Sequence, residues 1–152
     1  AMVYVWFITI FIGLFISKYT VFGRNIYAIG SNEEAARLSG IKIGINICGI
    51  YAFSAVMSSI AGILMTARLG NGVPTAGQGY ELDAVAAVVV GGGSLSGAVG
   101  SIPGTVLGTI IIATIKNGGT LLGINPFILD ILVGALIVVA VLFDQLSKNK
   151  SN

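Results

Sequence analysis

Long apolar runs separated by brief polar ones organise this chain, and the gaps between charged residues mark out its elements. Residues 1 to 17 carry no charge and predict a short membrane span that starts abruptly, like a helix whose beginning is missing. They show neither the positive flank nor the small-residue cleavage site of a signal peptide. Residues 43 to 67, bounded by Lys42 and Arg68, are again uncharged. As a helix they would run roughly 37 Å, enough to cross a bilayer with some tilt. Within them Ser54, Ser58 and Gly62 recur every four residues, a small-residue stripe that predicts close packing against another helix.

The next uncharged run, 84 to 115, is too long for one helix of ordinary thickness and is interrupted by Gly91-Gly-Gly-Ser-Leu-Ser-Gly-Ala-Val-Gly-Ser-Ile-Pro-Gly104. The pattern predicts a broken helix pair over 82 to 115: a short helix near 82 to 90, a glycine-rich reversal, and a second helix from about Pro103 to Ile115. Non-helical backbone at membrane depth is tolerated only where protein covers it or a cavity lines it. Interrupted spans of this kind point to a transport pathway. Asn125-Pro126 supply a cap and a first-turn proline for a last span over 127 to 143, followed by a polar tail from Asp144 to Asn152.

Composition fixes the class. With 55% hydrophobic residues, 9% charged, no histidine and a mean hydropathy of +0.97, the 152-residue chain belongs in a bilayer. We expect an all-α polytopic membrane protein of about four to five transmembrane helices, one of them broken or re-entrant, plus a short cytoplasmic helix. The net charge of +2, with no basic run and no interleaved aromatics, excludes nucleic acid as a partner. The single cysteine, Cys48, excludes an internal disulfide and reads as a small buried residue.

Lysine and arginine set an orientation. The segment 18 to 42 holds Lys18, Arg24, Arg37 and Lys42, and the tail adds Lys148 and Lys150, against only Arg68 and Lys116 on the other side. This bias puts the segment, the tail and the glycine-rich reversal towards the cytoplasm, with 68 to 81 and 116 to 126 outside. Within the polar segment, Ser31 followed by Glu34 forms a capping-box pattern, Glu33 and Glu34 suit a helix N-terminus, and Gly40 supplies a stop. A helix of about eight residues is marginal in water and needs a surface. That surface is either a docked protein or lipid headgroups, the latter met by Leu38 and Ile41.

The run Gly30-Ser-Asn-Glu-Glu-Ala-Ala-Arg-Leu-Ser-Gly-Ile41 resembles the cytoplasmic coupling loop of permease subunits from bacterial ATP-binding-cassette importers. Pro74-Thr-Ala-Gly-Gln-Gly-Tyr-Glu-Leu-Asp-Ala-Val-Ala-Ala-Val-Val-Val-Gly-Gly-Gly-Ser-Leu-Ser-Gly97 is similar to the ribose, xylose, galactoside and autoinducer-2 branch of that family. The resemblance covers nearly the whole chain but only the C-terminal half of such a permease. Two positions depart from it: Gly93, where threonine or alanine is more usual, and Ala98, where glycine is common.

The resemblance implies that an extracytoplasmic sugar-binding protein delivers a monosaccharide to a dimer with a second permease subunit, identical or different. Two ATP-binding subunits then drive alternating access. Ser31 to Gly40 would be the coupling helix, with Glu33, Glu34 and Arg37 as its charged residues. Ala35 and Ala36 would allow close approach to the ATPase groove. ATP would sit on the partner subunit, with no cofactor or metal in this chain. Full activity would require the helices that precede this half.

Candidate pathway residues follow. Glu81 and Asp83 stand two apart, so they do not share a helix face, and without histidine or a nucleophile they do not suggest catalysis. They read as stabilisers of a helix N-terminus or, with Gln78 and Tyr80, as sugar contacts. Glycines at 93 and 97 and at 100, 104 and 108 fall every four residues, which predicts close helix packing or a hinge. Gly91, Gly92 and Gly93 lie at the reversal but lack the lysine of a phosphate loop, and Ser96 replaces the last glycine of a dinucleotide fingerprint. Asp130, the one acid inside a predicted span, lies a turn from Pro126, where the cost of charge falls. Two other readings stay open: a superfamily permease for branched-chain amino acids or nucleosides, and a truncated membrane protein without transport.

Overall fold

The computed structural model describes residues 2–95 and 97–149, with side chains described as far as 146. Ser96 and residues 150–152 of the expected tail lie outside the described residues. All regular structure among the described residues is helical, and the chain divides into two compact units, Ala1–Gln78 and Gly79–Asn152.

In the first unit α1, Met2–Tyr19, is followed at once by α2, Val21–Ser31. The charge pattern predicts no helix over 18 to 30, yet a start signal is present: the Thr20 hydroxyl accepts the Gly23 N–H at 3.1 Å. A side chain at Gly23 would collide with the backbone of Ile16 and Ser17, so only glycine lets α2 fold back against α1. Next comes α3, Glu33–Leu38, and then α4, Ile43–Leu69, which ends at Gly70 in the left-handed conformation (φ +70°). Phe22 of α2 lays its ring over Gly49 of α4. Asn25 reaches the buried Asn46 at 3.5 Å, and Asn46 in turn donates to the Lys42 carbonyl at 2.9 Å.

One expectation for α4 is corrected, and a second finds no partner within this unit. Cys48 is exposed, and the Ser54, Ser58 and Gly62 stripe is exposed too, with nothing within 4 Å of a Cβ built at Gly62. Among the described residues of this unit no helix packs into the stripe. The cause is that α4 buries only Asn46, next to its start, and presents its other faces outward.

In the second unit α5, Tyr80–Val90, α6, Ile102–Leu121, and α7, Pro126–Asn149, pack on one another. Ala86, Ala87, Ile112 and Val133 form the buried cluster, with Val90, Leu136 and Ile137 against it. The predicted break lies where expected, but α6 runs six residues past Ile115, and α7 continues into the expected tail as far as Asn149. Gly123 (φ +73°) ends α6 after Leu122, and Pro126 opens α7, its cap Asn125 accepting from Phe127 N–H at 3.0 Å. At roughly 16 Å, α5 is too short to cross a bilayer. Met2–Tyr19, Ile43–Leu69 and Pro126–Leu146 are long and apolar enough to do so. The protein is an all-α polytopic membrane protein.

Glycine sets the spacing of α5 and α6. A Cβ at Gly108 would overlap the Ala87 carbonyl oxygen, and Gly91 and Gly104 face each other backbone to backbone. This is the small-residue packing that the four-residue spacing predicts. The reversal between the helices satisfies its own polar groups: Gly93 N–H donates to Val88 at 2.8 Å and Ser94 N–H to Val99 at 2.9 Å. It is also tied to α7, the Ser94 hydroxyl donating to the Asp144 carboxylate at 2.8 Å. Ala98, one of the two departures from the family pattern, sits at φ +66°.

Three outcomes are expected in thermal unfolding of detergent-solubilised protein. Gly108→Ala should cost about 1–3 kcal/mol by overpacking, whereas Gly118→Ala, with open space around it, should be neutral or gain up to about 1 kcal/mol. Ala98→Gly should stabilise by about 1–2 kcal/mol, the penalty of a left-handed residue bearing a Cβ.

Candidate functional site

Two constellations stand out, one in each unit. The first is the corner between α2 and α3. Asn32 alone forms it: its N–H closes α2 on the Ala28 carbonyl at 3.1 Å while its carbonyl accepts Ala36 N–H at 3.0 Å. Its extended backbone (φ −157°, ψ 107°) lets Oδ1 accept Ala35 N–H at 3.0 Å. Asn32 is therefore the cap, and the expected Ser31 is not, because Ser31 is still inside α2 with helical backbone. The far end closes with Gly40 (φ +83°), whose N–H bonds Arg37 while Ile41 N–H bonds Ala36. This is the double-bonded glycine stop of a helix C-terminus. Each end of this six-residue helix is thus capped from within the chain.

The faces of α3 divide cleanly. Ala36 is buried at 3% exposure against the chain's own helices, so of the two alanines expected to meet a partner only Ala35 is presented outward. Glu33, Glu34 and Arg37 are exposed, and so is Leu38 at 82%.

The second constellation joins three helices. Lys116 Nζ of α6 lies 2.7 Å from Asp83 Oδ1 and 2.8 Å from Asp83 Oδ2 of α5, and 3.0 Å from Asp130 Oδ1 of α7. The start of α5, the last part of α6 and the start of α7 therefore meet at one end of the unit, with α6 antiparallel to both neighbours. The Ser94 to Asp144 bond ties its other end, fourteen residues or about 21 Å further along α7. Beside Asp83 opens a cleft of about 330 Å³ between α5 and α6, floored by Ala84, Ala87, Ile112 and Ala113 and edged by Tyr80, Thr109, Asp83 and Lys116.

Other expected pathway residues fall elsewhere. Glu81 points to the exposed face of α5, as its two-residue offset from Asp83 requires, and Gln78 is exposed at the end of the first unit. Gly91 and Gly93 do not line the cleft: Gly91 packs on Gly104, and Gly93 is buried on Val88. Gly92 makes the exposed turn at φ +85°. All three serve the reversal. Sequence reasoning missed Lys116 and Thr109. The signal for Lys116 was an unaccompanied cation between two acids on neighbouring helices, which only the pairing of α5 with α6 makes meaningful.

Comparison with known proteins identifies the family. The family described as branched-chain amino acid transport system / permease component matches residues 1–141. The chain belongs to this permease family. It is 48% identical over 139 residues to the xylose transport system permease protein XylH of Haemophilus influenzae, covering 91% of this chain and 37% of that protein. Against the ribose import permease protein RbsC of Bacillus subtilis it is 50% identical over 126 residues, covering 83% of this chain and 39% of the relative. Against the galactose/methyl galactoside import permease protein MglC of Escherichia coli it is 48% identical over 127 residues, 84% and 38% of the two chains. The chain thus spans less than two fifths of the length of each of these relatives. No solved structure matches it.

Within this permease, the ion cluster should carry unequal weight on its two arms. Lys116→Met leaves Asp83, with its side chain only 21% exposed, without a counterion; a loss of about 1–3 kcal/mol is expected from stranding a charged hydrogen-bonding partner. Asp130 is 65% exposed, so Asp130→Asn should cost less than about 1 kcal/mol. Thermal unfolding of the two variants in one detergent checks the order.

Proposed function

We propose that this chain is the C-terminal part of the permease of an ATP-binding-cassette importer that carries a monosaccharide across the bacterial cytoplasmic membrane. The observation that carries the reading is that near-half identity extends along most of the chain to permeases named for xylose, ribose and galactose. In this reading α3 is the coupling helix. Its capped ends keep it folded between spans, and Glu33, Glu34, Ala35 and Arg37 face outward for the ATP-binding subunit. ATP is bound and hydrolysed on that partner, and the permease chain is not itself an enzyme. An extracytoplasmic sugar-binding protein delivers substrate at the opposite face, a second permease subunit completes the pathway, and lipid covers the exposed apolar faces of α1, α4 and α7.

A second reading, transport of branched-chain amino acids, has the printed description of the family in its favour. Uptake decides between them. Cells lacking the gene should lose uptake of labelled xylose, ribose or galactose and regain it on complementation from the native locus, with leucine uptake unchanged. Loss of leucine uptake with all three sugars intact would establish the second reading instead. The coupling role is checked by co-purification: the cognate ATP-binding subunit should be retained by the wild-type permease and lost from Glu34→Lys and from a form lacking residues 31 to 40. Equal recovery in all three would reduce α3 to an interfacial helix.

A further inference from the structure

The cleft between α5 and α6 combines two surfaces that a small hydroxylated ring needs together. One wall is polar: Asp83 and Lys116, with Tyr80 at the mouth, half exposed. The floor, Ala87, Ile112 and Ala113, is apolar. Its volume of about 330 Å³ is at the lower end of the range for small-ligand sites, about 300–1,000 Å³.

The charges restrict what can enter. Lys116 donates to both oxygens of Asp83 and to Asp130, at 2.7 to 3.0 Å, so the ammonium is engaged by both carboxylates. Asp130 lies beyond the cleft lining, but with Asp83 it sets two carboxylates against one ammonium, so the cluster at this end carries a formal charge of −1, which repels an anion. A zwitterionic amino acid would either set its carboxylate beside Asp83 or bring its ammonium into competition with Lys116. A neutral polyol incurs neither cost. Each ionised carboxylate oxygen has lone pairs beyond the one that meets Lys116, and these accept hydroxyl protons. Thr109 Oγ1 spends its proton on the Thr105 carbonyl at 2.8 Å and offers its oxygen as a further acceptor.

We propose that this cleft is a subsite for a neutral monosaccharide, seated with its hydroxyl edge on Asp83 and its C–H face on the alanine and isoleucine floor. Lys116 is the positioning residue: it holds Asp83 at the wall and occupies the place a solute ammonium would take. The assignment rests on the importer reading and adds to it the residues that select a neutral over a zwitterionic solute.

Cys48 is the one cysteine of these 152 residues, and the Cys48→Ala transporter without an added thiol serves as the blank for any labelling elsewhere. In a Cys48→Ala background, Ala113→Cys places a thiol in the cleft, and its labelling by a small maleimide is followed in membrane fragments open to both faces and carrying the complete transporter. The sugar that wild-type cells take up should slow labelling by the factor 1 + [L]/Kd, about tenfold at roughly nine times Kd, and leucine should not. Adding Asp83→Asn should leave the thiol reactive and remove the protection, whereas Lys116→Arg, which keeps the ion pair, should retain it. Equal slowing by leucine, no slowing by the transported sugar, protection that survives Asp83→Asn, or a thiol that never labels because another segment fills the cleft would each overturn the subsite. Sugar uptake by wild-type cells, measured in parallel, separates the two readings: its absence defeats the importer assignment, and its presence without protection defeats only the subsite.

Discussion

The second unit depends on how closely α5 and α6 approach. Gly104 and Gly108 bring the α6 backbone against Gly91 and Ala87, with no side chain between them. At that separation an eleven-residue helix, too short to cross a bilayer, is held along a longer one that covers its polar backbone. Only because of this contact does Lys116 reach Asp83, thirty-three residues earlier. The cleft follows from the same arrangement: the helices touch at their glycines and leave room between the alanine-lined stretches nearer Lys116.

Polar ties then fix what the glycines bring together. At one end the ion cluster joins α5, α6 and α7; at the other a serine in the reversal meets Asp144 on α7. Charged and hydroxyl groups are costly in an apolar setting unless paired, so each tie favours one register of α7 against the broken pair. Asp130 and Asp144 therefore have structural partners, and Asp83 has two neighbours, the lysine that holds it and the cleft it faces.

The first unit solves a different problem, that of keeping a six-residue helix folded. Nucleation makes such a helix unstable alone. Here Asn32 ends one helix and begins the next, accepting the Ala35 and Ala36 N–H groups, while Gly40 and Ile41 donate to the Arg37 and Ala36 carbonyls at the other end. Burying Ala36 anchors α3, which leaves the acidic residues of its first turn directed outward.

Much of this was legible in the order of residues. Charge-free runs marked the spans, the glycine-rich stretch marked the break, and the four-residue glycine spacing gave the packing of α5 on α6, because helix period and backbone solvation are local constraints. Local signals also misled where two of them competed. Ser31 and Asn32 are both good caps, and the choice fell to Asn32 because α2 extends through Ser31. The charges of the segment 18 to 42 concealed α2, whose cap is Thr20. What the sequence alone could not decide was which distant groups meet. Nothing in the spacing of Asp83, Lys116 and Asp130 pairs them, since the pairing is set by the antiparallel course of α6 between two helices and by glycine contacts that fix its depth. The small-residue stripe of α4 shows the same limit: a sequence can advertise a surface for close packing, but what packs there is decided by tertiary structure.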